Sequence, residues 1–304
     1  HAADVRERFA VEAAWAVWND QQRALLLNQI GPGAGVWLTT LPMDTWTTLP
    51  PALCVIALRR RVWQVLPALG ETCPGCDHVL DHWGWHLQSC GAAGRLQTRG
   101  ARFEDVWRQA LVDGGARVPR ERRLARLGVL GVASTDARRI DAVAYGVHRR
   151  GGVPLMIDAT LRSVVSRDGV PHARAARQGG STFARAYADK LSTYGDLAAS
   201  PQCQFVCVAA ETGGRFDTHS RDLVTDLVEG RAMGCRSAIS RSLQAGWRRR
   251  IWGVLSVGLQ RVVASSLGSA PAETDSLDFP GDVFGDTPLP RPVPPRCAAH
   301  YRSW

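Results

Sequence analysis

The sequence predicts an α/β protein: a mixed sheet flanked by helices, with an upstream helical segment and a small Cys/His knuckle. Two observations predict this class. Between residues 96 and 230, helical and strand-like periodicities alternate in the order helix, strand, strand, strand, helix, strand, helix, which describes helices packed on one sheet. The composition, 45% hydrophobic and 21% charged over 304 residues, is apolar enough to bury a sizeable core in one large or two modest domains.

The elements follow in order. Residues 4–30 carry Phe9, Ala13, Val17, Leu25 and Leu26 at helical spacing, and Gly31-Pro32-Gly33 ends the run. Residues 37–51 read as a loop or short extended piece. Residues 52–69, with Val55, Ile56, Leu58, Val62 and Leu66, predict a second helix, and residues 96–115 a third, with Phe103, Val106, Trp107, Ala110 and Leu111 on one face. Gly114-Gly115 stops it. Residues 116–121 are short and extended. Residues 138–147 and 153–161 are β-like runs joined by Arg149-Arg150-Gly151-Gly152, a hairpin signal. A helix over 182–199, a strand over 202–210 and helices over 216–230 and 236–267 complete the order. In the last helix Ile239, Leu243, Trp247, Ile251, Leu255 and Leu259 recur every fourth residue. The Pro-rich segment beyond residue 269 is expected to be a disordered tail. The resulting division is 1–70 helical, 71–95 knuckle, 96–268 α/β domain and 269–304 tail.

A net charge of +9 favours a polyanionic partner. No apolar run approaches a membrane span or a signal-peptide core, so no membrane partner is expected. The chain starts at His1 and reads as a piece of something longer. Thirty-six of the 37 basic residues are Arg, and Lys190 is the single Lys. Where Arg serves wherever charge alone matters, a surviving Lys asks for a chemical reason. The eight cysteines do not space as a disulfide framework and suit a reducing intracellular environment.

Cys73-Pro-Gly-Cys76, His86 and Cys90 form C-x2-C-x9-H-x3-C. The tight Cys turn aims two sulfurs at one point, and a His and Cys four apart share a helical face. Three thiolates and one imidazole suit a structural Zn²⁺ with no open position. His78 and His82 rival His86 for the imidazole, and a redox Cys-x2-Cys is the competing reading.

Asp141 and Asp158 each interrupt an apolar strand, where a carboxylate is costly unless it is paired or binds a cation. On two strands of one hairpin they can face each other and hold Mg²⁺, which serves phosphodiester cleavage. Lys190 lies on the apolar stripe of its helix with Phe183, Tyr187, Tyr194 and Leu197. It can hold an attacking water or offset phosphate charge, with Tyr194 bonding the same group. Glu121 is the candidate third acid. Between residues 95 and 150 stand thirteen Arg against six acids. Arg120, Arg122, Arg123, Arg138 and Arg139 flank the acids and are the candidate DNA contacts. Arg248-Arg249-Arg250 reads as a solvated helix face.

Together these residues resemble the C-terminal part of reverse transcriptases from non-LTR retrotransposons that carry a restriction-enzyme-like endonuclease. The likeness covers residues 30–265. It rests on Gly35-Val-Trp37-Leu-Thr-Thr-Leu-Pro42; on the cysteine knuckle with Asp81 and Gly84; and on Arg139-Ile-Asp141, Ile157-Asp158-Ala-Thr160, Lys190-x3-Tyr194 and Glu211-Thr-Gly-Gly214. It implies a PD-(D/E)-x-K nuclease fold, a CCHC zinc knuckle, and Mg²⁺-dependent nicking of DNA to prime reverse transcription in the nucleus. It also implies element RNA and the reverse transcriptase part of the parent polyprotein as partners. Asp141 and Asp158 would be metal ligands, and Lys190 the lysine moved from strand to helix, since Thr160 fills the usual strand position. Ile140 stands where the family has Pro, and Arg99-Gly100 where it often has Arg-His. No Asp-Asp pair occurs, so the polymerase's paired aspartates are missing. A DNA endonuclease domain is the leading expectation, a catalytically inactive, zinc-stabilised nucleic-acid-binding remnant the second, and a non-enzymatic zinc scaffold the third.

Overall fold

A computed structural model describes residues 12–13, 15–66, 71–129, 131–147, 152–233 and 237–268. Three strands, β1 (Ala142–Ala144), β2 (Leu155–Arg162) and β3 (Gln204–Glu211), form a sheet in that order. β1 runs antiparallel to β2, as the hairpin signal predicts, and β3 runs parallel to it. A parallel neighbour requires a crossover, which the helix Phe183–Ala199 supplies. β1 is shorter than its apolar run. Before it, Ile140 N–H donates instead to the Arg122 carbonyl (2.9 Å), and Arg123 bridges Arg139. The predicted Arg149-Arg150-Gly151 turn and the 269–304 tail lie outside the described residues.

The helices are α1 (Asp20–Gln29), α2 (Pro51–Arg61), α3 (Trp85–Ser89), α4 (Arg95–Asp113), α5 (Phe183–Ala199), α6 (Thr218–Ala232) and α7 (Ser237–Leu267). The helix expected over 4–30 is interrupted at 18–19. Asn19 is extended and forms a reciprocal capping box with Gln22, so the chain restarts as α1. α2 ends at Arg61, earlier than its apolar pattern, because Trp63 takes a left-handed conformation (φ 55°). α7 is buried on nearly every side from Ile251 to Ala264, the pattern of a central helix rather than a half-exposed one. Its N-terminal half is more open, and Ile239 is exposed. Arg250 departs from the solvated face expected of it: it pairs with Asp113 and Asp44, both at 2.6 Å.

Two apolar clusters sandwich the sheet. Side chains of a strand alternate, so Leu155 and Ile157 face the cluster built with α4, α6 and α7, while Met156 faces a second one with Val143, Tyr194 and Leu197. By the same alternation Asp158 points to the α5 side with Met156. The larger cluster also takes in Leu53 and Ile56 of α2 and Cys73, Leu80, Leu87 and Cys90 of the knuckle. The segments the sequence divides near 70 and 95 therefore share one apolar interior. Trp37 N–H donates to Ser256 Oγ of α7 (3.0 Å), fixing the early chain to the central helix.

Candidate functional site

The Cys/His knuckle is built by local bonds. The N–H groups of Cys76 and Asp77 donate to the Cys73 carbonyl, and Cys73 N–H donates to His78, closing the turn. The Asp81 carboxylate accepts from the N–H groups of Trp83, Trp85 and His86, capping the helix that carries His86 and Cys90. Gly84 enters that helix at φ 75°, and a Cβ there would stand 2.8 Å from Leu267 of α7. Cys76 Sγ lies 3.2 Å from His86 Nε2 and 3.7 Å from Cys90 Sγ, with Cys73 Sγ 4.0 Å from Cys90 Sγ. All four ligand atoms fall within 4.8 Å of one another. Sulfurs bound at about 2.3 Å to one tetrahedral ion sit about 3.8 Å apart. The four residues can thus hold a metal ion such as zinc. His78 stacks on the His86 ring (4.4 Å, 7° between planes) and His82 packs against Trp83, so His86 is the imidazole within reach. Burial, then the neighbouring His78, holds the His86 pKa below the usual range, favouring the neutral form a metal requires.

The second site is a buried acid cluster. One ladder step beyond the Ala142–Ile157 pair, Asp141 stands opposite Asp158. Asp141 Oδ2 accepts from Ala159 N–H (2.7 Å), and Lys190 Nζ of α5 lies 2.6 Å from Asp158 Oδ1. Burial first, then the charges of Asp158 and Glu104, pushes the Asp141 carboxyl up to about 8. Burial also raises Asp158, against the pull of the Lys190 charge. Tyr194 Oη donates to the Arg139 carbonyl (2.6 Å), and Tyr194 itself leaves helical geometry (φ −123°, ψ 27°), kinking α5 over the acids. Asp141, Asp158, Lys190 and Tyr194, singled out from sequence, are therefore brought together.

Glu121 is not among them. It bonds the N–H groups of Arg122 and Arg123 and pairs with Arg126 (3.1 Å), serving the turn in which it lies. The third carboxylate is Glu104 of α4, whose charge acts on both aspartates. Its position beside the apolar stripe of α4 marks it as near the core, but no sequence spacing links it to Asp141. Two of the candidate DNA contacts are committed internally. Arg122 pairs with Glu104 (2.8 Å), and Arg138 pairs with Asp136 and Asp196 (2.7 and 2.6 Å) while donating to Thr193, which clamps α5. Arg120, Arg123 and Arg139 are exposed. Glu211 is fully buried and accepts from Thr182 Oγ1 (3.0 Å), anchoring the start of α5.

No family model matches the chain, and no curated protein matches it. Among the described residues, no helix is long and apolar enough to cross a membrane.

Proposed function

We propose that this protein is a Mg²⁺-dependent DNA endonuclease of the PD-(D/E)-x-K type, stabilised by a zinc knuckle at Cys73, Cys76, His86 and Cys90. The observation that carries the reading is Lys190 Nζ at 2.6 Å from Asp158 Oδ1, with Asp141 opposite on the neighbouring strand. The donor set fits a hard divalent ion. The carboxylates are desolvated, their mutual charge raises Asp141, and Asp158 Oδ1 is buried with the Lys190 ammonium as its partner. Asp141 and Asp158 would hold the ion, with Glu104 beside them. Bound there, Mg²⁺ would stabilise charge developing on the phosphate and leaving oxygen. The Lys190 ammonium offsets phosphate charge and orients the attacking water from the α5 side. Tyr194 fixes the Arg139 carbonyl beside the acids, and the exposed Arg120, Arg123 and Arg139 meet the DNA backbone. Ile140 is compatible with this core, because its N–H bonds the Arg122 carbonyl, a bond that Pro could not make. By the likeness to non-LTR retrotransposon proteins, the nick would supply a primer for a reverse transcriptase part of the same polyprotein, copying element RNA in the nucleus.

One observation favours a second reading, a catalytically inactive nucleic-acid-binding remnant. Arg122 and Lys190 already neutralise two of the three acids. Nicking of supercoiled plasmid with Mg²⁺, wild type beside Lys190→Ala, separates the two. We expect wild-type nicking that the variant loses. Salt-sensitive DNA retention without nicking would establish the remnant.

A further inference from the structure

Away from the acid cluster, a cavity of about 420 Å³ opens between α1, the end of α2 and the start of α3. It lies within the range of about 300–1,000 Å³ common to small-ligand sites. Its lining includes Asn28, Gln29, Arg60, Trp63, Trp83 and Trp85. Trp83 and Trp85 stack nearly parallel (4.7 Å, 13°), and Trp83 is 37% exposed at the rim. Trp63 is held in its left-handed conformation with a buried Nε1–H that has no hydrogen-bond partner among the described residues.

The amides are half committed. Asn28 Oδ1 accepts from Gly213 N–H (2.8 Å), Gln29 Nε2 donates to the Arg60 carbonyl (3.0 Å), and Gln22 Oε1 accepts from Asn19 N–H (3.0 Å). All three side chains also line the cavity, and an amide offers both donors and acceptors. Positive charge gathers beneath. Arg60 donates to Gln88 Oε1 (2.9 Å) and Thr212 (3.3 Å), and the buried Arg99 donates to the Gln88 carbonyl (2.6 Å). Among the described residues no carboxylate pairs with either guanidinium. A buried Arg99 and a half-buried Arg60 without a paired carboxylate are costly, and an anionic ligand would relieve them. Arg60 and Asn28 also tie the cavity to Thr212 and Gly213, at the carboxyl end of β3, the edge where α/β sheets commonly place ligands.

A flat aromatic face, mixed amide donors and acceptors, and unbalanced cations describe a nucleotide site. We propose that this cavity takes an unpaired nucleobase of a nucleic-acid single strand, its ring on Trp83–Trp85, its edge on the α1 amides, and Arg60 answering the phosphate. The site goes beyond the nuclease reading and does not depend on cleavage.

The test is fluorescence anisotropy of the whole chain, zinc-replete and without Mg²⁺. The probes are a labelled single-stranded dodecamer of mixed sequence and its fully abasic counterpart. Stacking on an aromatic contributes about 1–3 kcal/mol per base. We therefore expect Trp83→Ala to weaken the intact dodecamer about tenfold while the slope of log Kd against log salt stays unchanged, since no phosphate contact is lost. The abasic strand should bind wild type and variant equally. An intact dodecamer bound equally by wild type and Trp83→Ala, or an abasic strand bound as tightly as the intact one, would overturn the proposal. Adenosine monophosphate that saturates the protein as tightly as the strand would overturn its assignment to a strand. Gln64→Ala, at an exposed lining position, is the second variant should Trp83→Ala fail to fold. Plasmid nicking reads the acid cluster separately, so the two proposals fail distinguishably.

Discussion

The Cys/His knuckle and the acid cluster differ in how the chain assembles them. The knuckle collects its four ligands between positions 73 and 90 with a turn, a cap and one helical step. The acid cluster draws Glu104 from α4, Asp141 from the start of β1, Asp158 from β2 and Lys190 from α5. The first is local geometry that could hold a metal ion. The second exists only after helix, hairpin and crossover have packed, and it carries like charges that oppose their own burial. Metal should accordingly matter to the fold at the knuckle and to chemistry at the acids.

The largest expected effect tests the first half of that contrast. Cys73 and Cys90 lie in the same apolar cluster as α4 and α7. Cys90→Ser, or zinc removal by a chelator, should thus lower the melting temperature of the whole chain by roughly 10 °C, several kcal/mol for a chain this size, rather than unfold the knuckle alone. Calorimetry beside zinc stoichiometry reads this, and an unchanged main transition would show the knuckle to be independent after all. Next, Asp158→Ala should reduce plasmid nicking about 10²–10³-fold with DNA retention intact, as loss of a transition-state charge stabiliser does. Full nicking would remove Asp158 from the site.

A finer contrast sets the two acids of α4 and its neighbouring turn against each other. Glu104→Gln should lower nicking about tenfold, because its charge reaches both aspartates. Glu121→Gln should change it less than about twofold, since it breaks only a partly exposed ion pair. The reverse ranking would restore Glu121 as the third acid.

A separate contrast is a pH dependence. Without Mg²⁺, burial and the charges of Asp158 and Glu104 push Asp141 from an ordinary value of 3.8 up to about 8, so the folded state keeps a proton that the unfolded chain releases. Its contribution is complete below the unfolded value and fades as pH rises towards 8. Asn mimics the protonated acid. The melting temperature of Asp141→Asn relative to wild type should therefore climb between about pH 4 and 8, and a flat difference would show Asp141 to be unperturbed.

How much of this was legible follows from the same local and long-range division. The knuckle ligands could be read because their spacing is their geometry, although choosing His86 over His78 needed the ring stacking. Asp141 and Asp158 could be read because each breaks an apolar strand, and strand alternation then sets their side of the sheet. Lys190 stood out by composition. Glu104 could not be read, since only the packing of α4 against the sheet brings it near. The arginines were legible only in part for a related reason: charge density is visible in sequence, whereas Glu104 and Asp196, which pair with Arg122 and Arg138, lie elsewhere in the fold. The interruption before α1 was signalled by Asn19 and Gln22, a capping pair inside an otherwise helical pattern.

The place of α7 at the centre has a consequence for biosynthesis. Trp37 bonds Ser256 across 219 positions, and Arg261 reaches back to Thr45 and Thr48. At about 5–20 residues per second, a ribosome needs roughly ten to forty seconds to deliver the second partner of such a pair. Until then the apolar walls of α2 and the knuckle face open solvent. The nascent chain is thus obliged to wait for α7, and transcripts that end before residue 250 would yield aggregation-prone products rather than smaller working ones.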